Sequence, residues 1–258
     1  MAIDRMAALR LERDEMLKFS RSLTLTDWRS PSAAPGWTIQ DVVAHIGSQA
    51  HSPFGPESLI TFRSKAIEET NDVLVDRRRS WTPTQVLAEY ERWSRVSLIS
   101  LGLINRTAAA RLPMRLAELG KFSLGMMASA IVFDHYVHLR HDMAPALGRP
   151  APLADANSIA VTLEWMMAVL GNQLKALQPL WLDQPILIEL HGPGGGTWTV
   201  QPGGAISSGA ADTEVRISSS AEQFPKWATT RCGWRECDVT VVGCADYAAR
   251  FLDSVNVV

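Results

Sequence analysis

The hydrophobic period changes once along this 258-residue chain, and the change falls near Pro179. Before it, apolar residues recur every three or four positions, the spacing of helices with one buried stripe. After it they alternate, as in strands with one buried face, around short amphipathic helices. The pattern predicts an α-helical domain over residues 1–178 and a small α+β domain over residues 179–258. The second, at about 80 residues, is near the size limit for folding alone. No internal repeat or low-complexity segment interrupts either part.

Local signals divide the first part. A helix is expected from about Ala2 to Leu23. "SPSAAPGW", Ser30 to Trp37, reads as a loop, with two prolines and a glycine. Thr38 then stands as an N-cap, with Asp41 where a capping box places its acceptor. The helix it opens reads "IQDVVAHIGSQAH". Further helices are expected from about Leu59 to Leu74, from Pro83 after the Thr82 cap, from about Leu124 to Ala146, and from about Asp155 to Leu177. "RLPMRLAELG" breaks the helical pattern between two of them. In the second part "PILIELHG" and "GTWTVQPGG" read as a hairpin across the glycine-rich "GPGGG", which lacks the Lys-Ser/Thr ending of a phosphate loop. "TEVRISSS" and "CDVTVVG" are further strands, with short helices over "AEQFPKWATT" and "CADYAARFLDSV".

Composition excludes several functions. A net charge of −2 and a pI near 6.3 give no general attraction to nucleic acid or anionic membrane. The short basic run "DRRR", Asp76 to Arg79, reads as a solvated helix end. The most apolar stretch, "SLISLGLI", is far too short to cross a bilayer. Three cysteines, Cys232, Cys237 and Cys244, without a secretory signal imply free thiols and a cytoplasmic location. Trp37 is expected at the loop-to-helix entry, and Trp227 and Trp234 in the core of the second domain.

One stretch carries chemistry. "IVFDHYVHLRHDM", residues 131–143, holds three of the six histidines and two aspartates. Residues four apart on a helix converge one turn from each other, so Asp134 and His138 can meet at one point. A carboxylate and an imidazole suit zinc or a similar divalent ion. The third ligand must come from elsewhere, and His45, among the apolar residues of "DVVAHIG", is the natural candidate. With His45, Asp134 and His138 as ligands, a fourth position stays open, the pattern of a catalytic zinc site. His138 with His141, or His135 with His138, also share a face, and His141 is the reserve ligand. A helix whose histidines and Asp142 simply meet water shows the same spacing.

Two segments together resemble a known family. "SAAPGWTIQDVVAHIGS" looks like the signature of the DinB-like, mycothiol-dependent maleylpyruvate isomerase superfamily, and "FDHYVHLRHDMAPALGRP" is similar to a later helix of that family. "WATTRCGW" and "VTVVGCADYAARFL" resemble parts of the sterol-carrier-like domain found in many members. The resemblance implies an up-and-down four-helix bundle holding a divalent metal on His45, Asp134 and His138, followed by a sterol-carrier-like α+β domain. It implies a metal-dependent transferase or isomerase that uses a low-molecular-weight thiol such as mycothiol on a small electrophilic substrate. Arg231 matches an arginine linked to activity and would clamp a substrate carboxylate. The family has Glu where this chain has Asp134, one methylene shorter, so the metal would sit closer to that helix. The spacing from His138 to Asp142 and Gly148 is one residue longer than the family's. The partners implied are substrate and thiol, with no nucleic acid or membrane, on a monomer or homodimer. The alternative is a non-enzymatic small-molecule or lipid-binding protein on the same scaffold.

Overall fold

The computed structural model describes residues 3–257, the side chain of Phe62 excepted. The chain forms a mixed helical and sheet structure, in two compact units that meet in sequence between Leu153 and Ala154.

The first unit, Asp4–Leu153, is mainly helical. Helix α1, Arg5–Arg21, starts where the Asp4 carboxylate accepts the Met6 and Ala7 N–H groups at 3.0 and 2.9 Å. A short α2, Leu25–Arg29, follows a Thr24–Asp27 capping box. Helix α3, Ile39–His51, has the bounds the sequence implies. The Thr38 hydroxyl accepts the Asp41 N–H, and the Asp41 carboxylate accepts the Thr38 N–H at 2.9 Å. The single helix expected over residues 59–74 is two, α4, Ser58–Arg63, and α5, Ile67–Asp76. Ser64 is extended between them, and its hydroxyl binds the Ala66 carbonyl at 2.8 Å and the Thr70 hydroxyl at 2.6 Å. These local bonds compete with a continuous helix.

Helix α6, Pro83–Asn105, opens on a Thr82–Gln85 capping box with proline at its first position. The break at "RLPMRLAELG" is an antiparallel hairpin, β1, Pro113–Leu116, and β2, Gly120–Ser123. Helix α7, Met127–Val137, continues as a π-helical turn, His138–Met143, rather than as the α-helix expected to residue 146. Gly148, at φ +60°, ends the segment in the left-handed conformation that glycine adopts without strain.

Helix α3 lies along α5 and α6, and α1 along α6 and α7. Their shared core includes Met16, Ile39, Val42, Val43, Ile46, Val86, Tyr90, Leu139 and Met143. Gly47 lets α3 approach α6 closely, since a Cβ there would lie 3.4 Å from the Tyr90 backbone. Two charged clusters are sealed in the same unit. Arg140, on the π turn, makes a fork to the Glu12 carboxylate of α1 at 2.6 and 3.1 Å. Arg78, expected on a solvated helix end, is only 3% exposed and bridges Glu89 and Glu57. The buried Glu89 and the partly buried Glu57 beside it account for the difference.

The second unit, which among the described residues takes in Ile3 and residues 154–257, begins a helix earlier than the boundary expected at residue 178. Helix α8, Ala156–Leu177, capped by Asp155, groups with the sheet that follows. The sheet runs β5–β4–β3–β6–β7, with β3, Ile186–His191, β4, Gly196–Val200, β5, Ile206–Ser208, β6, Val215–Ser220, and β7, Thr240–Val242. Only the β3–β6 pair is parallel. The β4–β5 turn comes so close to α8 that a Cβ on Gly204 would lie 2.5 Å from the Leu174 Cβ, and Gly171 faces Ile206. That close packing explains why α8 groups with the sheet. Trp165, Met166 and Met167 are buried in the core of this unit. Helices α9, Phe224–Ala228, and α10, Ala245–Ser254, complete it.

Two sequence expectations fail here. Cys232 and Cys237 form a disulfide rather than free thiols, because the short helical turn Trp234–Glu236 folds the chain back between them; Cys244 is free and exposed. Trp234 is only partly buried, its indole N–H donating to Asp253 at 2.8 Å, whereas Trp227 is in the core against Phe224. Among the described residues no helix is long and apolar enough to cross a membrane.

Replacing Glu12 by Leu leaves the Arg140 guanidinium buried without its carboxylate. Urea unfolding of the full chain is expected to show a loss of about 3–5 kcal/mol. A loss below about 1 kcal/mol would mean that the pair contributes little to the fold.

Candidate metal centre

His45 sits in the middle of α3 on the face that carries Val42 and Ile46 into the core, and it is 2% exposed. Its Nε2 lies 3.1 Å from the Gln49 side-chain nitrogen, one turn on. Its Nδ1 is buried and has no hydrogen-bond partner. Asp134 lies on α7, half-buried, and His138 opens the π turn. One donor atom from each of His45, Asp134 and His138 lies within 4.8 Å of the other two. Donors around a tetrahedral zinc, each about 2.0–2.1 Å from it, are about 3.3 Å apart. The shorter Asp134 thus stands within the same group as the two histidines.

The surroundings hold the two rings in a defined state. Burial, more than any other factor, drives the His45 pKa well below 6.5; neighbouring His138 and His135 push the same way and the Asp142 carboxylate opposes them. His45 is therefore neutral at pH 7, the form that ligates metal. The His138 Nδ1 lies 2.7 Å from the fully buried Asp142 carboxylate, which leaves Nε2 as its free donor. The two imidazoles meet edge to face with centroids 5.1 Å apart. Trp37 covers both, 4.9 Å from His45 and 6.1 Å from His138, and its indole N–H is anchored on Asp72 of α5 at 3.0 Å.

Of the candidates read from sequence, the structure brings together His45, Asp134 and His138. The reserve ligand His141 instead lies edge-on to Tyr136, at 6.1 Å. His135 is neither solvated nor in the group. It is 1% exposed, donates from Nδ1 to the Ile131 carbonyl at 2.7 Å, and accepts the Tyr90 hydroxyl on Nε2 at 2.8 Å. Asp142, which spacing alone allowed to meet water, is fully buried against His138. Trp37 was legible as a helix-entry residue but not as the cover of the centre, and Gln49 carried no signal beyond its position four residues after His45. Arg231 belongs to the second unit, half-buried after α9, with its N–H donating to the Lys226 carbonyl at 3.0 Å.

Residues 9–144 match the model of the mycothiol maleylpyruvate isomerase N-terminal domain. Two uncharacterized proteins of Mycobacterium tuberculosis, MT0041 and Rv0036c, from strains CDC 1551 / Oshkosh and ATCC 25618 / H37Rv, are each 27% identical over 251 residues, 92% of this chain and 89% of theirs. Crystal structures of the mycothiol-dependent maleylpyruvate isomerase, one of them a histidine-to-alanine mutant, align at a TM-score of 0.51 and 14% identity, over 92% of this chain and 91% of theirs. That likeness is one of fold. A sterol carrier protein 2-like protein of Aedes aegypti aligns with 36% of the chain at a TM-score of 0.29, too low to bear on the second unit.

The buried His135 makes stability depend on pH. Burial is the largest cause holding its pKa at about 4, against 6.5 for a free imidazole. As pH falls the unfolded chain takes up the proton first. Its contribution is complete above about pH 6.5 and drains away down to about pH 4, roughly 3 kcal/mol in all. In metal-free protein, unfolding free energy should therefore fall less between pH 7 and pH 4 for His135→Gln than for wild type. Equal pH slopes would refute this.

Proposed function

The chain belongs to the mycothiol maleylpyruvate isomerase N-terminal domain family, and from that premise we propose that it is a divalent-metal-dependent enzyme of thiol chemistry. The reaction class is mycothiol-type transfer or isomerisation of a small electrophilic, carboxylate-bearing molecule. One observation carries this reading: His45, Asp134 and His138 offer three donors to one point, and His45 keeps a buried nitrogen without a hydrogen-bond partner. Such a nitrogen costs about 1–3 kcal/mol unless something binds it.

The residues fit a divalent cation of the zinc type. Two imidazole nitrogens and one carboxylate are ligands it prefers, and three protein ligands leave room for a fourth. Bound there, the metal would supply Lewis acidity that keeps a low-molecular-weight thiol as its nucleophilic thiolate. The side chains have separate tasks. Asp134 contributes the one negative charge of the donor set. His45 presents a neutral ring, and Trp37 keeps water from one side of both imidazoles, which strengthens every charge interaction beneath it. Arg231 is proposed to bind the substrate carboxylate through two parallel hydrogen bonds.

The proposal includes the finer architecture: α1, α3, α6 and α7 as an up-and-down four-helix bundle, and residues after α8 as a sterol-carrier-like domain. It places the chain in the cytoplasm as a monomer or homodimer. Low-molecular-weight thiols are abundant there, and the Cys232–Cys237 disulfide would exchange with them.

Protein purified without a histidine tag should carry close to one equivalent of a divalent metal, or take up added zinc to that level. His45→Ala and His138→Ala should each hold less than about one-tenth as much. Cobalt-loaded protein should develop a sulfur-to-metal absorption band when mycothiol is added. Wild-type protein that neither carries nor accepts metal would end the proposal. For Arg231→Ala the expected result is unchanged metal content and a KM for a carboxylate substrate raised about 10- to 100-fold, the value of a charged hydrogen-bonded pair.

A further inference from the structure

Asp142 is outside the three-donor group, yet it is completely buried and its carboxylate oxygen is 2.7 Å from His138 Nδ1. We infer that Asp142 is a positioning residue for the metal centre: it holds the proton of His138 on Nδ1 and so aims the Nε2 lone pair at the cation. The inference deepens the proposed function and rests on its metal-binding reading.

Three observations on this segment converge. First, the carboxylate occupies the His138 Nδ1, which leaves Nε2 as the nitrogen open to a cation. A free imidazole interconverts between two tautomers, and a carboxylate at Nδ1 selects the one with a lone pair on Nε2 and makes that nitrogen more basic. Second, the backbone between the two residues is unusual. The segment His138–Met143 is π-helical, and Ala144 N–H binds the Leu139 carbonyl five residues back at 3.1 Å. A π turn takes in one residue more than an α turn, and such turns recur at functional sites.

Third, the turn is pinned from two sides independently of any metal. The Arg140 guanidinium is forked to Glu12 of α1, and the Asp142 carbonyl accepts the Ala33 N–H at 3.0 Å from the loop that leads to Trp37. The backbone is thus fixed at Asp142 itself, and the side chain beneath His138 has little freedom. A carboxylate buried only for packing would be replaced without cost by an apolar side chain of its size. This one has a specific partner, and that partner is a candidate ligand.

The experiment measures zinc affinity of metal-free wild type and Asp142→Asn by competition with a chromophoric chelator, alongside urea unfolding of both in the metal-free state. The expected result is 10- to 100-fold weaker zinc binding for Asp142→Asn. Affinities within threefold, with wild type binding zinc, would overturn the inference and leave the metal reading intact. Wild type that binds no zinc would overturn the metal reading, and this inference with it. Nitrogen-15 NMR of the histidine rings in metal-free wild type at pH 8 decides the case even if the variant unfolds. His138 protonated on Nδ1 supports the role, and His138 protonated on Nε2 rejects it.

Discussion

A histidine buried in a helical interior must give up its charge, and the rest of the first unit is arranged around that requirement at His45. Val42, Val43 and Ile46 draw its face of α3 into the core against α5 and α6. An imidazolium there would lose its hydration with no carboxylate bonded to it, so the ring stays neutral. A neutral ring still carries two polar nitrogens. Gln49 serves one, and the other is left to whatever Asp134 and His138 gather beside it. Core packing and the candidate donor set are in this sense a single feature: the apolar stripe that folds the helix is what places a neutral imidazole beside Asp134 and His138.

The opposite wall of the centre depends on a departure from regular helix geometry. Where α7 gives way to the π turn, His138, Arg140 and Asp142 all become buried, each with a different charged or ring partner. Glu12 ties the turn to α1, and the Ala33 N–H ties it to the loop before α3. The entry to α3 carries Thr38, which fixes the helix start, and Trp37, which covers both imidazoles. The candidate ligands thus come from segments almost ninety residues apart, yet their mutual placement passes through few joints. The joints are a buried charged pair, a backbone hydrogen bond and a capped helix end, and each resists small displacements.

The second unit obeys a simpler logic. Helix α8 buries one side against hairpin turns whose glycines permit backbone contact, and the sheet alternates buried and exposed positions on β6. After α9, Arg231 precedes the loop closed by Cys232 and Cys237. Arg235 and Trp234 in that loop both bind Asp253 of α10, which holds the loop to the helix without burying it.

Much of this was legible in the sequence. The capping residues Thr38 and Thr82 mark helix starts because a side-chain acceptor beside the first turn is a local need that the sequence must meet locally. The period change near Pro179 announced the sheet, and the four-residue spacing of Asp134 and His138 made them a pair. His45 was a candidate ligand because a histidine amid apolar residues asks for a partner. The sequence alone did not determine that α8 belongs with the sheet, that Arg78 is buried, or that Cys232 meets Cys237, since each depends on which surface a segment finds once the chain has collapsed. It also left open whether Asp142 meets water or His138. Tertiary contacts decided it: Asp142 is buried against His138 on a π turn that partners distant in sequence also hold, Glu12 to Arg140 and Ala33 to Asp142, and local spacing cannot supply such burial.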